Sequence, residues 1–141
     1  MYLDLIMKLK KINSREYIFD VVRKKYVVNT PEEWVRQNTI NFLNTKKGYP
    51  ISLMSIEKSS PVNGLQKRSD IICFNKDFQA ILLVECKAPN IKLSSKALNQ
   101  ALIYHKVVKS KYILITNGTN HFCFELTNNE IKLVSNIPNY S

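Results

Sequence analysis

The chain has 141 residues, 45% of them hydrophobic, and its 21 Lys and Arg against 11 Asp and Glu give a formal net charge of +10. This composition predicts one globular domain and excludes an intrinsically disordered chain, and the longest apolar run, residues 80–84, is far shorter than the roughly 18 residues of a membrane span. The positive charge favours a polyanionic partner, because neutralised phosphates release counterions, although solubility alone is another use for it.

Two further features predict a cytoplasmic protein without membrane association. Residues 1–8 contain an early acid, Asp4, and too short an apolar stretch for a secretory signal. Cys73, Cys86 and Cys123 are odd in number, widely spaced and set among apolar residues. Reduced, buried thiols are therefore expected, and a disulfide framework is not.

The pattern along the chain predicts a core with an extension at each end. Residues 1–29 mix basic and apolar side chains and predict an arm that packs on the core, with residues 18–26 as a short helix or a hairpin. Residues 30–126 are expected to form the core, and residues 127–141 a C-terminal edge strand and tail. All three parts are assigned to one domain.

A strong helix signal opens the core. Thr30 is a suitable N-cap, Pro31 fits the first helical position, and Glu33 lies three residues after the cap, where a capping-box glutamate belongs. Apolar residues then recur with roughly helical spacing until Gly48, which ends the segment near Pro50.

The pattern then becomes that of strands. Strands are predicted over residues 51–56, 68–74, 80–87, 112–116 and 121–126, with residues 131–134 as an added edge strand. The run over residues 81–84 is apolar on both faces, as expected of a central strand covered twice, and Pro89 stops it.

A second helix lies between the third and fourth predicted strands. Ser94 or Ser95 caps it, and it is expected to extend to about Lys109. Asn117-Gly118 is a strong turn signal before the strand that follows. The order of helix, three strands, helix and strands predicts an α/β fold.

Charged residues at the end of the most apolar strand are the main functional signal. Glu85 and Lys87 are two residues apart, so on a strand they project from the same face, about 7 Å apart, while Cys86 points the other way. Asp70 opens the preceding strand, and the hairpin over residues 75–79 brings it beside Glu85. Charges in such a place are costly unless they are paired, bind a ligand or open to a cleft.

Two carboxylates and a lysine are the groups that phosphodiester hydrolysis needs. Carboxylates bind Mg²⁺, which polarises the scissile phosphate and lowers the pKa of a bound water, and a lysine orients or deprotonates the attacking water. The alternative is that Glu85 and Lys87 form a solvated strand end and that Asp70 is an unrelated turn acid, since the D…E-x-K pattern is short.

The clustered acids should also affect stability. With Lys87 as the only nearby proposed cation, mutual repulsion between Asp70 and Glu85, with or without Glu33 as a third acid, should destabilise the metal-free protein. The sequence therefore predicts that Asp70→Asn melts at or above the wild type without metal and responds less when metal is added.

Several sequence blocks carry a family resemblance between about Ile18 and Leu126. They are Thr30-Pro31-Glu32-Glu33-Trp34-Val35-Arg36-Gln37, Gly48-Tyr49-Pro50, Arg68-Ser69-Asp70-Ile71, Val84-Glu85-Cys86-Lys87-Ala88-Pro89, Gln100-Ala101-Leu102-Ile103-Tyr104 and Thr116-Asn117-Gly118. In this order they resemble the N-terminal nuclease domain of type I restriction enzyme R proteins, within the PD-(D/E)XK nuclease superfamily. The resemblance implies a restriction-endonuclease-like αβββαβ core with a mixed central sheet, and Mg²⁺-dependent DNA cleavage in which Mn²⁺ can substitute.

The resemblance also implies roles for single residues. Asp70 and Glu85 resemble the metal ligands, and Lys87 resembles the catalytic lysine. A first-helix acid that helps to hold the metal corresponds to Glu33, with Glu32 in reserve, although Glu33 is also the capping-box position.

Other matching residues have less specific roles. Gln100 and Tyr104 resemble a Gln-x-x-x-Tyr element that positions substrate and the active-site lysine, the alternative being a partly buried tyrosine with a surface glutamine. Lys67, Arg68 and Lys92 flank the site and are candidates for phosphate contact or for solvated surface.

The sequence thus predicts a small Mg²⁺-dependent DNA endonuclease. The alternative is a non-catalytic nucleic-acid-binding or assembly module of a restriction or repair complex. DNA is the expected partner, with a second copy of the chain or the subunits of a restriction complex as further candidates. Ser69 replaces the proline that names the superfamily but leaves Asp70 in place, and the sequence has no G-x-x-x-x-G-K-[ST] motif of a DNA-translocating motor.

Overall fold

The computed structural model describes residues 7–56, 60–62, 65–67, 70–128 and 130–141, with only the backbone described for residues 60–62 and 65–67. Within these residues the chain forms the strands and helices β1 (Leu9–Ile12), β2 (Arg15–Asp20), β3 (Lys25–Val28), α1 (Pro31–Lys47), β4 (Met54–Ser55), β5 (Ser60–Val62), β6 (Leu65–Lys67), β7 (Ile71–Phe74), β8 (Ala80–Cys86), α2 (Ser95–His105), β9 (Tyr112–Thr116), β10 (His121–Leu126) and β11 (Ile131–Val134).

A mixed sheet lies at the centre of the fold, in the strand order β11-β10-β9-β8-β7-β4. β8 pairs with β9 in parallel, and the other pairs of this sheet are antiparallel. The parallel pair requires a crossover, and α2 supplies it. The prediction of an α/β fold with a mixed sheet flanked by helices is confirmed.

Alternate side chains of the central strands divide between two apolar cores. Those that face α1 pack with Val35, Ile40 and Leu43, and they include Ile71, Cys73, Leu82, Val84 and Leu114. Those that face α2 pack with Ala97, Ala101 and Tyr104, and they include Ile72, Leu83, Ile113 and Ile115. Burial on both faces explains the continuous apolar run in β8.

α1 has the boundaries that its caps predict. Thr30 is extended and its Oγ1 accepts the backbone N–H of Glu33 at 3.0 Å, and Pro31 is the first helical residue. Gly48 ends the helix with φ of 80°, a left-handed conformation that glycine adopts without steric cost. The N–H of Thr30 donates to the carbonyl of Val28, so a reciprocal capping box with the Glu33 side chain does not form.

Three predicted boundaries differ from the structure by more than one residue. The strand over residues 51–56 is reduced to Met54–Ser55, because a 3₁₀ turn occupies Ile51–Leu53 and the Leu53 N–H donates to the Pro50 carbonyl. α2 ends at His105 rather than near residue 109, in a turn where Lys106 and Val107 donate to carbonyls three residues earlier. Of the strand over residues 68–74 the structure shows Ile71–Phe74, and residues 68–69 lie outside the described part.

A separate three-stranded sheet, in the order β1-β2-β3, precedes α1. The predicted helix or hairpin over residues 18–26 is a hairpin, and β1 is an additional strand. Asn13 and Ser14 join β1 to β2 with φ of 50° and 68°, as a tight two-residue hairpin turn requires. Ile18 of β2 is fully buried, and Val21 and Val22 after β2 pack against the core on the α1 side. The division of the chain into arm, core and tail stays a prediction.

The other predicted strands agree with the structure to within one residue, since β8 ends at Cys86 rather than at residue 87. β9, β10 and β11 have the predicted bounds, and β11 is an edge strand as expected. β5 and β6 form a two-stranded hairpin that the sequence analysis did not predict. The three cysteines are free and buried, as expected. No helix in the described part of the chain has the length and apolarity needed to cross a membrane.

Candidate active site at the end of the central strand

The pairing of β7 with β8 places Asp70 beside Glu85. The backbone N–H of Asp70 donates to the Val84 carbonyl at 3.0 Å, and its Oδ2 accepts the N–H of Cys86 at 2.7 Å. Asp70 therefore bonds to the residues on both sides of Glu85, and its side chain is 2% exposed. The structure brings together the two carboxylates that the hairpin predicts.

Glu85 is a buried acid with little compensation for its charge. Among the described residues it forms an ion pair with the Lys87 ammonium, whose Nζ lies 3.6 Å from Oε1. Burial, supported by the negative charge of Asp70, raises the pKa of Glu85 to about 8, while Lys87 opposes the rise. An ionised Glu85 is therefore costly in this environment, and a further cation would offset that cost.

Lys87 is held from two sides. Its backbone N–H donates to the Thr116 carbonyl of β9 at 2.8 Å, and its Nζ donates to Oε1 of Gln100 on α2 at 3.2 Å. The crossover helix thus brings Gln100 to Lys87. Tyr104, one turn further along α2, is buried in the core on the α2 side.

Arg36 of α1 is a central residue of the site that the sequence analysis missed. Its guanidinium is 6% exposed, with Nη2 2.5 Å from Oδ1 of Asp70 and Nη1 2.5 Å from Oε1 of Glu33. Burial by itself would lower the pKa of Arg36, but the charge of Asp70 and the hydrogen bond to it raise the pKa above its ordinary value. The expectation that Lys87 is the only nearby cation is therefore wrong.

A polar stripe on α1 was the signal that could have revealed Arg36. Glu33, Arg36 and Gln37 have the spacing of one helix face, and all three are buried. Such residues on a core-facing stripe require partners of opposite charge or hydrogen bonds. The sequence alone does not show that Asp70, 34 positions further along the chain, is one of them.

The acids of the first helical turn surround Arg36. Glu33 Oε2 also accepts Nε2 of Gln37 at 2.9 Å, and Glu33 Oε1 lies 3.4 Å from Nη2 of Arg23. Glu32 is 36% exposed and its Oε1 lies 3.2 Å from Nη2 of Arg36. Glu33 is thus joined to Asp70 through Arg36, and the assignment of either glutamate to a metal stays a prediction.

Two hollows adjoin the site. One of about 520 Å³ lies at the start of α1, and its lining includes Arg23, Val28, Glu33, Arg36 and Ala88. The other, of about 300 Å³, is lined by residues that include Lys87, Lys92, Lys96 and Gln100. Lys92 is exposed there. The Lys67 side chain and Arg68 lie outside the described residues.

The donors fit a hard divalent cation that keeps most of its water. Asp70 and Glu85 provide carboxylate oxygens, and each Asp70 oxygen accepts one hydrogen bond from the described residues, so a lone pair on each is left over by these bonds. Within the described part of the chain, the ion-pair partner of Glu85 is Lys87, at 3.6 Å. Among the described residues, no group of three or more His, Cys, Asp and Glu is arranged to hold a metal ion, so water would complete the coordination.

The fold and the site define a mixed-sheet α/β protein with paired carboxylates and a lysine at the end of its central strand. The chain belongs to the family described as the type I restriction enzyme R protein N terminus, whose model matches residues 31–138. The resemblance inferred from the sequence blocks is confirmed.

A solved structure has a similar fold. It is described as the fragment structure of an HsdR subunit of a type I restriction enzyme from Vibrio vulnificus YJ016, and it is 23% identical with a TM-score of 0.54. The match covers 77% of this chain and 23% of that one, so this chain spans about a quarter of its length. At this identity the likeness shows a shared fold alone. No curated protein sequence matches the chain.

Proposed function

We propose that this chain is a metal-dependent DNA endonuclease domain that uses Mg²⁺, with Mn²⁺ able to substitute. The observation that carries the proposal is the meeting of Asp70, Glu85 and Lys87 at the end of β8, with Lys87 held by Gln100. The family to which the chain belongs and its net charge of +10 support DNA as the substrate. Subunits of a restriction complex are proposed as partners because of the family to which the chain belongs.

Each residue of the site has a distinct role in this proposal. Asp70, held by the Cys86 N–H and by Arg36, provides a fixed carboxylate, and Glu85 provides a second one. Asp70 and Glu85 would hold the cation, which would supply Lewis-acid polarisation of the scissile phosphate. Lys87 lies beside Glu85 and is oriented by Gln100, where its ammonium can position the attacking water and offset negative charge in the transition state.

One observation favours a second candidate, a non-catalytic DNA-binding or assembly module. Arg36 already provides a buried positive charge for Asp70 at 2.5 Å, so the site does not depend on a metal to neutralise that acid. In this case Asp70, Arg36 and Glu33 would form a structural ion network. The two candidates differ in whether metal binding and strand cleavage occur.

The deciding experiment is a nicking assay on supercoiled, linear double-stranded and single-stranded DNA with Mg²⁺, Mn²⁺ or EDTA. Glu85→Gln and Lys87→Ala should abolish metal-dependent cleavage, while their controls Glu130→Gln and Lys106→Ala, at exposed sites, should cleave like the wild type. Circular dichroism establishes that each variant is folded. Cleavage by both site variants at the wild-type rate would refute the nuclease proposal, and a folded wild type without cleavage or calorimetric metal binding would favour the second candidate.

A further inference from the structure

We propose that the outer face of the β1-β2-β3 sheet binds the sugar–phosphate backbone of duplex DNA, independently of sequence, and leads it to the cleft at α1. This inference deepens the proposed function, because it assigns the substrate-binding surface of the same site. It depends on the strand register, on two lysines held against aromatic rings, on the charge of the segment and on its position beside the cleft.

The strand register defines the outer face. Side chains that alternate with the buried Ile18 point outward from β2, and antiparallel partners share a face with them. The outer face therefore carries Lys8, Lys10, Ile12, Arg15, Tyr17, Phe19, Tyr26 and Val28. All four residues of β1 are exposed, and Arg15 is exposed at the start of β2.

Aromatic rings hold two of the lysines on this face. Lys8 Nζ lies 5.0 Å from the centroid of the Phe19 ring, and Lys10 Nζ lies 4.7 Å from that of Tyr26. The two rings pack edge to face, with centroids 5.2 Å apart. The rings thus keep both ammonium groups on the sheet, which reduces the entropy lost when they bind phosphate. Because the ammonium groups cover the rings, this face is suited to phosphates rather than to stacked bases.

The charge of the segment lacks internal compensation. Residues 7–28 contain seven Lys and Arg against two Asp and Glu, a net +5 of the chain's +10. Both acids have other partners, since Asp20 pairs with Arg23 and Glu16 accepts Nδ2 of Asn29 at 2.7 Å. Within the described part of the chain, Lys8, Lys10 and Arg15 form no ion pair. A polyanion is the partner that such a surface fits.

The sheet also borders the candidate active site. β3 is the edge strand that precedes α1 in the chain, and Val27 and Val28 of β3 line the 520 Å³ cleft together with Glu33, Arg36 and Ala88. Ala88 directly follows Lys87. Val28 belongs to both the outer face and the cleft lining, so a backbone bound on the outer face would lie next to the cleft.

The test measures binding of the whole chain to a fluorescent 20-base-pair duplex in EDTA, so that cleavage plays no part. One variant combines Lys8→Ala, Lys10→Ala and Arg15→Ala. Its matched control combines Lys106→Ala, Lys109→Ala and Lys111→Ala. These residues precede β9, at the end of that strand away from Thr116 and the candidate site, and their replacement removes the same charge. Lys111 also lies over an aromatic ring, that of Tyr112. Affinity is measured from low to physiological salt, and circular dichroism confirms that both proteins are folded.

The sheet variant should bind the duplex at least about tenfold more weakly than the control at 0.1 M salt. Its slope of log binding constant against log salt concentration should be shallower than that of the control by about 2 to 3, since each phosphate contact contributes about 0.9. Equal affinities and slopes for the two triple variants would overturn the inference. The single exposed substitution Lys10→Glu provides a second variant and should weaken binding in the same direction. A wild-type protein that binds the duplex but does not cleave it when metal is added would count against the proposed function and leave this inference standing.

Discussion

Replacement of Asp70 by asparagine tests how the acids of the site are neutralised. The side chains of Asp70 and Arg36 are 2% and 6% exposed, and Nη2 and Oδ1 are 2.5 Å apart. The asparagine side chain would keep the shape and could still accept the Cys86 N–H, but its amide group would then face the guanidinium donor. Arg36 would remain charged and buried with the loss of one of its partners.

The expected cost follows from the contacts that remain. Breaking a buried ion pair costs about 3–5 kcal/mol, but Arg36 keeps Glu33, and the repulsion between Asp70 and Glu85 is relieved, so a net loss of roughly 2–4 kcal/mol is expected. This corresponds to a Tm lower by roughly 10 °C. The sign is opposite to that predicted from the sequence alone, because Arg36 replaces repulsion between acids with attraction.

Urea unfolding in EDTA at pH 7 measures this cost. Asp77→Asn removes an exposed acid in the β7–β8 turn and should change stability by less than about 0.5 kcal/mol. A double-mutant cycle with Arg36→Met should give a coupling energy between positions 36 and 70 of about 2 kcal/mol or more. An Asp70→Asn protein as stable as the wild type, or a coupling near zero, would refute the reasoning.

Three further predictions concern the metal, the pH and the lysine. Millimolar Mg²⁺ or Mn²⁺ should raise the Tm of the wild type, because a bound cation adds about 2.7 kcal/mol to the free energy of unfolding at a hundredfold excess over Kd. The Tm of Glu85→Gln should rise much less. Equal rises in the two proteins would exclude Glu85 as a ligand. The pKa of Glu85 is raised from 4.5 to about 8 in the folded protein, so between these pH values Glu85 is protonated in the metal-free folded state and ionised in the unfolded state. The free energy of unfolding of the wild type should therefore fall relative to that of Glu85→Gln as pH rises from about 4.5 to 8. A stability difference between these two proteins that is constant over this pH range in urea titrations would contradict this. Gln100→Ala should slow cleavage roughly tenfold while leaving the DNA Kd in EDTA unchanged, since it acts through Lys87; an unchanged rate would show that Gln100 does not position the lysine.

The parts of the fold that local chemistry determines could be predicted from the sequence. Thr30, Pro31 and Gly48 fix the ends of α1 through their own backbone preferences, and the predicted bounds hold. Asn117-Gly118 likewise marks the turn between β9 and β10. β1 was missed because its basic residues resemble a solvated arm, and its pairing with β2 depends on the turn conformation of Asn13 and Ser14.

For the candidate site, the sequence was informative where residues are close along the chain. Glu85 and Lys87 share a face because of the strand period, and a short hairpin brings Asp70 to Glu85. Arg36 could not be placed, because its contact with Asp70 depends on how α1 packs across the sheet. The raised pKa of Glu85 is likewise a consequence of burial from several elements, which no local pattern determines.

The parallel pairing of β8 with β9 has a consequence for protein synthesis. Glu85 lies opposite Ile115, and Lys87 bonds to Thr116, so the second partner of β8 emerges from the ribosome about thirty residues after β8 itself. Until then Lys87 lacks the Thr116 carbonyl that accepts its backbone N–H. A nascent chain therefore contains every acid of the site before β9 is available to pair with β8. The site can form only after translation has passed residue 116.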